Sequence, residues 1–255
     1  MVSELLRMLK FLKSQRVAKD KINDTIIVPP GSHLLVWDKE KIRRYWMFFE
    51  SNPIFRSNFF SEVKGDDIVR MSKKYLKKGS KVLDVGVGTG ALIERLSRLK
   101  LGLELHGIDI VESPSVKRLK EQGILRFKIG DATNIPYDNE TFDVVFLVEV
   151  LEHLLPEEVL LALLEIKRVL KPGGMFIISV PYKENLQYNM IICPECGAIF
   201  NTEQHIHSFD EKSVVKLLKS VGFKVLTLKL FSTSFIHRLI KRRMDRLFVV
   251  AILTP

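Results

Sequence analysis

The chain has 255 residues, 46% of them hydrophobic, with a formal net charge of +10. That length and apolar content make one large domain, or one domain with a small appendage, and exclude wholesale disorder. No uninterrupted apolar run approaches the roughly 18–20 residues a membrane helix needs, so no transmembrane segment is expected.

The first 78 residues predict a helical cap ahead of a main domain over 79–255. A basic amphipathic segment spans 5–17, an aromatic-rich stretch spans 37–60, and a helical segment at 66–75 leads onward. Arg7, Lys10, Lys13 and Arg16 interrupt the apolar residues of the first segment, so it lacks the compact core of a secretory signal and a cytoplasmic location is expected. From Lys81 the pattern alternates strand and helix, as in a doubly wound α/β sheet. Strands are predicted at 82–86, 103–110, 125–129, 142–148 and 175–180. The run at 142–148 is almost wholly apolar, which suits a central parallel strand buried on both faces. Helices are predicted at 91–99 and 114–122, and from Pro156 to about Lys171. The last has Glu157 and Glu158 in its first turn and Lys167 and Arg168 near its end, the polarity that the helix dipole favours. Asp210 is a candidate N-cap for a helix at 213–221. Two further strands, 225–230 and 247–253, are joined by a segment too short and basic for a crossover helix, so they are expected to pair antiparallel at the sheet edge. An insertion at 182–209 interrupts the alternation and holds both cysteines, Cys193 and Cys196.

The most informative stretch is Lys81-Val-Leu-Asp-Val-Gly-Val-Gly-Thr-Gly-Ala91. A strand ends in an acid, passes through three alternating glycines and enters a helix, the parts of a nucleotide-cofactor cradle at the carboxyl edge of a parallel sheet. Gly86, Gly88 and Ala91 also satisfy the dinucleotide fingerprint, so the glycines alone are ambiguous. Asp84 tilts the reading. A carboxylate two residues ahead of the first glycine repels a pyrophosphate but suits a cofactor carrying an ammonium and a sulfonium, such as S-adenosylmethionine.

Five more segments follow in order: Gly-Ile-Asp at 107–109, Gly-Asp-Ala at 130–132, Phe-Asp-Val-Val at 142–145, Leu-Glu-His-Leu at 151–154 and Leu-Lys-Pro-Gly-Gly at 170–174. Together with the glycine loop they resemble the class I S-adenosylmethionine-dependent methyltransferases of the broad small-molecule type. The resemblance is strong over residues 78–181 and weak over the last strands. It implies a Rossmann-like seven-stranded sheet, mostly parallel with an antiparallel edge strand. It further implies that Asp84 with Gly86, Gly88 and Gly90 holds the amino-acid part of the cofactor. Asp109 would accept from the ribose hydroxyls, Asp131 and Ala132 would read the adenine, and Glu149 would face the boundary between cofactor and substrate. His153 resembles a histidine placed as a base in quinone-biosynthetic O-methyltransferases; packing beside the cofactor is the competing reading.

Cys193-Pro-Glu-Cys196-Gly197, followed by His205 and His207, resembles a zinc-knuckle insertion found in some such enzymes. A C-x-x-C turn presents two thiolates to one ion, and a structural Zn2+ held by Cys193, Cys196, His205 and His207 is expected, the fourth ligand being the weakest assignment. The expected partner is a small-molecule methyl acceptor, and the aromatics Trp46, Phe48, Phe49, Phe55, Phe59 and Phe60 are candidates for an apolar lid over it. Basic clusters at Lys73-Lys74, Lys77-Lys78 and 238–246 raise an RNA methyltransferase as the first alternative, and a non-catalytic binding module as the second. These basic residues are not interleaved with aromatics as in recognition modules, so nucleic acid ranks behind a small molecule. Oligomeric state has no signature here.

Overall fold

A computed structural model describes residues 2–15, 28–232 and 245–253. The basic cluster expected at 238–246 lies, up to residue 244, outside the described residues. A seven-stranded sheet forms the centre, in the order β4-β3-β2-β5-β6-β10-β9. Its strands are β2 Lys81–Val85, β3 Glu104–Asp109, β4 Arg126–Ile129, β5 Phe142–Val148, β6 Leu170–Pro181, β9 Phe223–Ser232 and β10 Asp245–Leu253. Strands β4, β3, β2, β5 and β6 are mutually parallel. Strand β10 runs antiparallel to β6 on one side and to β9 on the other, so the antiparallel strand is inserted next to the outermost one.

Side-chain alternation along the strands builds two cores, one on each face. Val144, Phe146 and Val148 point to one, Val145 and Leu147 to the other, and all five are buried. The first face is covered by α3 Phe60–Ser72, α4 Ala91–Ser97 and α5 Pro114–Glu121, through residues such as Ile68, Ile93 and Leu119. The second is covered by α6 Pro156–Val169 and α7 Glu211–Ser220, and also by α1 Val2–Gln15. Helix α1 buries Met8 and Leu12 completely, which at roughly 1.5–3 kcal/mol for each such side chain anchors it to α6 and α7. It therefore belongs to the core of the main layer and stands apart from the aromatic helix α2, Lys39–Ser51.

Local chemistry fixes the helix starts. Asp38 caps α2 by accepting from Lys41 N at 2.9 Å. Ser113 caps α5, and Asp210 and Ser213 form a reciprocal capping box at α7. At α6, Pro156 stands in the first turn while the Glu158 carboxylate reaches back to Leu155 N at 2.9 Å.

The insertion is a hairpin, β7 Met190–Ile192 and β8 Ala198–Asn201, and β8 also pairs in parallel with the short strand β1, His33–Leu34. Insertion and aromatic helix are further tied by Tyr45, whose hydroxyl donates to Thr202 O, and by Trp46, whose Nε1 donates to Gln204 Oε1 at 2.8 Å. No described helix is long and apolar enough to cross a membrane.

Candidate functional site

Strand order reverses between β2 and β5, and the crevice beyond the carboxyl ends there is where open α/β sheets bind ligands. A cavity of about 790 Å³ lies at this edge, lined by Asp84, Gly86, Gly88, Asp109, Asp131, Ala132, Glu149 and His153. These are all the expected cofactor and catalytic residues except Gly90. That glycine instead opens α4 with φ +79, where a Cβ would meet Leu119 Cδ1 at 2.5 Å. Gly86 takes φ +81, and a Cβ on it would lie 2.4 Å from Val150 Cγ2. Both positions require glycine on two counts, backbone conformation and space.

The acids at the strand ends are buried to different effect. Asp84 is 2% exposed, and its Oδ1 has no hydrogen-bond partner among the described residues. Burial, reinforced by the nearby Asp109 charge, pushes its carboxyl well above the ordinary range. Asp109 accepts from Gly88 N at 2.8 Å and Val111 N at 3.3 Å, tying the glycine loop to the tip of β3. Burial still pushes its carboxyl up to about 6, against the pull of those amides. Asp131 differs: its desolvation is outweighed by Lys39 Nζ at 2.8 Å and by Thr133 N and Oγ1, each at 2.8 Å, so its carboxyl stays below the usual value. Glu149 adopts φ +54, a sparsely populated conformation for a non-glycine residue, right at the cavity. Its carboxylate accepts from Ser179 Oγ at 2.8 Å and pairs with Arg246.

Four of the six lid candidates, Trp46, Phe49, Phe59 and Phe60, line the cavity, joined by Tyr45. Phe48 and Phe55 do not; Phe48 is more than half exposed and meets Phe49 edge-on and Phe55 at a tilt. The Trp46 ring meets the His153 ring edge-on at 4.8 Å between centroids. The His153 side chain is only 12% exposed, and desolvation with the neighbouring His205 holds its imidazole well below the usual value, hence neutral.

The expected four-residue metal centre does not assemble. Cys193 and Cys196 stand at the tip of the β7–β8 hairpin, where Gly197 turns the chain with φ +74; Cys193 is half-buried and Cys196 exposed. His205 and His207 lie beyond the hairpin in the buried return toward the sheet. There His205 Nδ1 meets Glu184 Oε2 at 2.5 Å and His207 Nε2 meets Leu154 O at 2.9 Å. Among the described residues, no cluster of metal-ligating groups includes either cysteine. The spacing from C-x-x-C to His suits a knuckle, but a turn through Asn201–Gln204 carries the histidines back into the core. That turn is held by Asn201 Oδ1, which accepts from Glu203 N at 2.8 Å.

Sequence reasoning also missed several residues of the site. Glu50 on α2 lines the cavity, is 8% exposed, and has an Oε2 without a hydrogen-bond partner among the described residues. Burial, then repulsion from Asp109, pushes its carboxyl well up. A lone acid on an otherwise aromatic helix face was the available signal. Arg246, at the start of β10, had no local signal.

An orphaned buried carboxylate oxygen on Asp84, another on Glu50, and a glycine loop with no room for a Cβ at Gly86 or Gly90 form an acidic cradle suited to a cation. That fits S-adenosylmethionine, with its ammonium, its sulfonium and two ribose hydroxyls. Fold and cavity are those expected of an S-adenosylmethionine-dependent methyltransferase, and the protein is an enzyme of that activity.

Comparison with known proteins agrees. Residues 83–178 match the family model described as a methyltransferase domain. A demethylmenaquinone methyltransferase of Staphylococcus carnosus is 29% identical over 219 residues, 76% of this chain and 90% of the relative. An O-methyltransferase of Penicillium expansum is 29% identical over 174 residues, 65% of this chain and 60% of the relative. Among solved structures, the Burkholderia thailandensis 1,6-didemethyltoxoflavin-N1-methyltransferase, bound to its substrate and S-adenosylhomocysteine, superposes with a TM-score of 0.69. It is 20% identical and covers 89% of this chain and 94% of its own.

Proposed function

We propose that the protein methylates a small acceptor with an apolar or aromatic part, using one cavity for cofactor and acceptor. The observation that carries this reading is the make-up of the cavity wall. The strand ends bring Asp84 and Asp109 to it, and the cap brings the rings of Tyr45, Trp46, Phe49 and Phe59, with Glu50 the acid among them. A volume of about 790 Å³ is in the upper part of the range for small-molecule sites. S-adenosylmethionine, when bound, supplies an electrophilic methyl group on a sulfonium.

The chain's own part is mainly positioning. Asp84 and the Gly86–Gly88 backbone hold the amino-acid end, Asp109 the ribose, and Asp131 with Ala132 the adenine. Lys39 reaches from α2 to Asp131 and Glu158, so the aromatic helix is fastened over the adenine end of the cavity. The rings exclude water from the acceptor side, where alignment and desolvation can provide most of the rate. His153, neutral and edge-on to Trp46, is the residue we assign to activating the acceptor.

The names of one relative, a demethylmenaquinone methyltransferase, and one structural neighbour, a 1,6-didemethyltoxoflavin-N1-methyltransferase, support a ring-bearing acceptor. The test is incubation with methyl-labelled S-adenosylmethionine and fractionated cell extract. Label recovered in a small apolar compound is expected; label confined to RNA or protein overturns the reading.

A further inference from the structure

At the acceptor end of the cavity, three metal-ligating side chains converge from distant parts of the chain. Glu152 and His153 stand on the turn after β5, and His205 on the return of the insertion. One donor atom from each lies within 4.8 Å of the others. His153 and His205 line the cavity directly, with Glu203 beside them.

Glu152 is the residue that asks for a ligand. It is completely buried, and neither carboxylate oxygen is hydrogen-bonded to another described residue. Its Oε1 lies 3.9 Å from His153 Nε2. Arg246 hydrogen-bonds Glu149 and acts on Glu152 only through its charge, from beyond hydrogen-bond distance. A buried carboxylate with no hydrogen-bond partner is costly, and folded proteins keep one where a proton, a paired charge or a metal ion satisfies it. More negative charge surrounds the spot, since Glu184 and Glu203 approach the two nitrogens of His205 at 2.5 and 3.8 Å.

The outer contacts match those of a ligand set. His205 turns Nδ1 to the Glu184 carboxylate, the arrangement that orients a ligating imidazole. His153 turns Nδ1 toward Gln204 O at 3.5 Å. Gln204 is itself pinned, donating to His153 O at 3.0 Å and accepting from Trp46 Nε1 at 2.8 Å. Each imidazole thus has one nitrogen held from behind, and in both the other is Nε2.

We infer that Glu152, His153 and His205 form a binding site for one divalent cation, with Glu184 as the orienting carboxylate behind His205. Two imidazoles and one carboxylate suit Zn2+ or a similar first-row ion over Mg2+ or Ca2+. Three protein ligands leave a coordination position open, as catalytic sites do, and two of the three, His153 and His205, line the cavity. An acceptor hydroxyl coordinated there loses its proton to solvent and is held as the oxyanion, its nucleophilic form. This deepens the proposed function and rests on it, making His153 act as a ligand and specifying a hydroxyl-bearing acceptor. It is separate from the cysteine pair, which takes no part.

The test uses the full chain, stripped with a chelator, titrated with Zn2+ against a chromophoric chelator, and desalted for elemental analysis. Glu152→Gln, His205→Gln and a Cys193→Ser, Cys196→Ser double variant are run alongside. Each is titrated with S-adenosylhomocysteine, which reports an intact cofactor site independently of the metal. Expected is one ion per chain in the wild type and in the cysteine variant. Binding should be weaker by about 100-fold or more in Glu152→Gln and His205→Gln, beyond the 10–100-fold typical of outer-shell losses, with S-adenosylhomocysteine affinity kept. Should one of these variants misfold, the other decides. Wild-type protein that binds S-adenosylhomocysteine but no Zn2+ overturns the inference alone. So does retention of the ion in both Glu152→Gln and His205→Gln, or its loss with the cysteines. Wild-type protein that fails to bind S-adenosylhomocysteine overturns the methyltransferase reading, and this inference with it.

Discussion

Asp109→Asn should separate stability from binding. Burial lifts this carboxyl from 3.8 to about 6, roughly two units, so holding it ionised in the ligand-free fold at pH 7 costs about 3 kcal/mol. The sign follows from proton counting. Between pH 3.8 and 6 the folded state holds a proton that the unfolded state has released, so ligand-free stability falls as pH rises through that window. Asparagine removes the charge and with it this slope. It also gives up one of two amide contacts, because its single oxygen cannot serve both Gly88 N and Val111 N, at a cost of about 1 kcal/mol. The net expectation at pH 7 is a gain of about 1–2 kcal/mol, a melting temperature higher by roughly 2–6 °C for a protein of this size. Cofactor affinity should move the other way, by about 1.5–3 kcal/mol for hydrogen bonds lost to a charged acceptor, roughly 10–150-fold. Thermal melts from pH 4 to 8 and calorimetric titration with S-adenosylhomocysteine measure the two effects. A variant that melts lower and binds as tightly as wild type refutes the argument, since Asp109 would then be a structural strut of the glycine loop.

Gly86→Ala should lose about 2–4 kcal/mol, from a positive φ and a contact of 2.4 Å with Val150, and should bind cofactor poorly in titration. Arg246→Gln leaves Glu149 buried without its partner, so chemical denaturation should show a loss of about 3–5 kcal/mol. Adding Glu149→Gln should recover much of it, and no recovery would argue against the pair. His153→Ala should cut turnover by about 10²–10⁴-fold with cofactor affinity unchanged. Near-normal turnover with the labelled cofactor would remove His153 from the chemistry.

The strands and the glycine loop were legible because their signals are local. An apolar run that is buried on both faces reads as a parallel strand, and a glycine triplet behind an acid reads as a cradle. Val144 through Val148 are buried as their sequence suggests, and Gly86, Gly88 and Gly90 all take the positive φ that glycine permits. Acids at successive strand ends are also legible, because parallel strands bring their carboxyl ends to one edge, and Asp84, Asp109 and Asp131 indeed share one cavity. What was hidden depends on distant pairing. Arg246 finds Glu149, and His205 approaches His153, through the path of the chain, which leaves no trace in spacing. The cysteines show the opposite failure. Their spacing to His205 is regular, but the distance in sequence says nothing of the turn at Asn201–Gln204 that directs the imidazoles inward. Helix α1 was likewise grouped with the cap by position, whereas Met8 and Leu12 bind it to α6 and α7.

The central idea, that an acidic sheet edge grips a cationic methyl donor, is tested most directly by equilibrium titration of the purified chain with S-adenosylhomocysteine and, separately, with NADH. One S-adenosylhomocysteine per chain, competed by S-adenosylmethionine and weakened by Asp84→Asn, is the predicted result. Binding of NADH in preference, or no effect of Asp84→Asn, would contradict it.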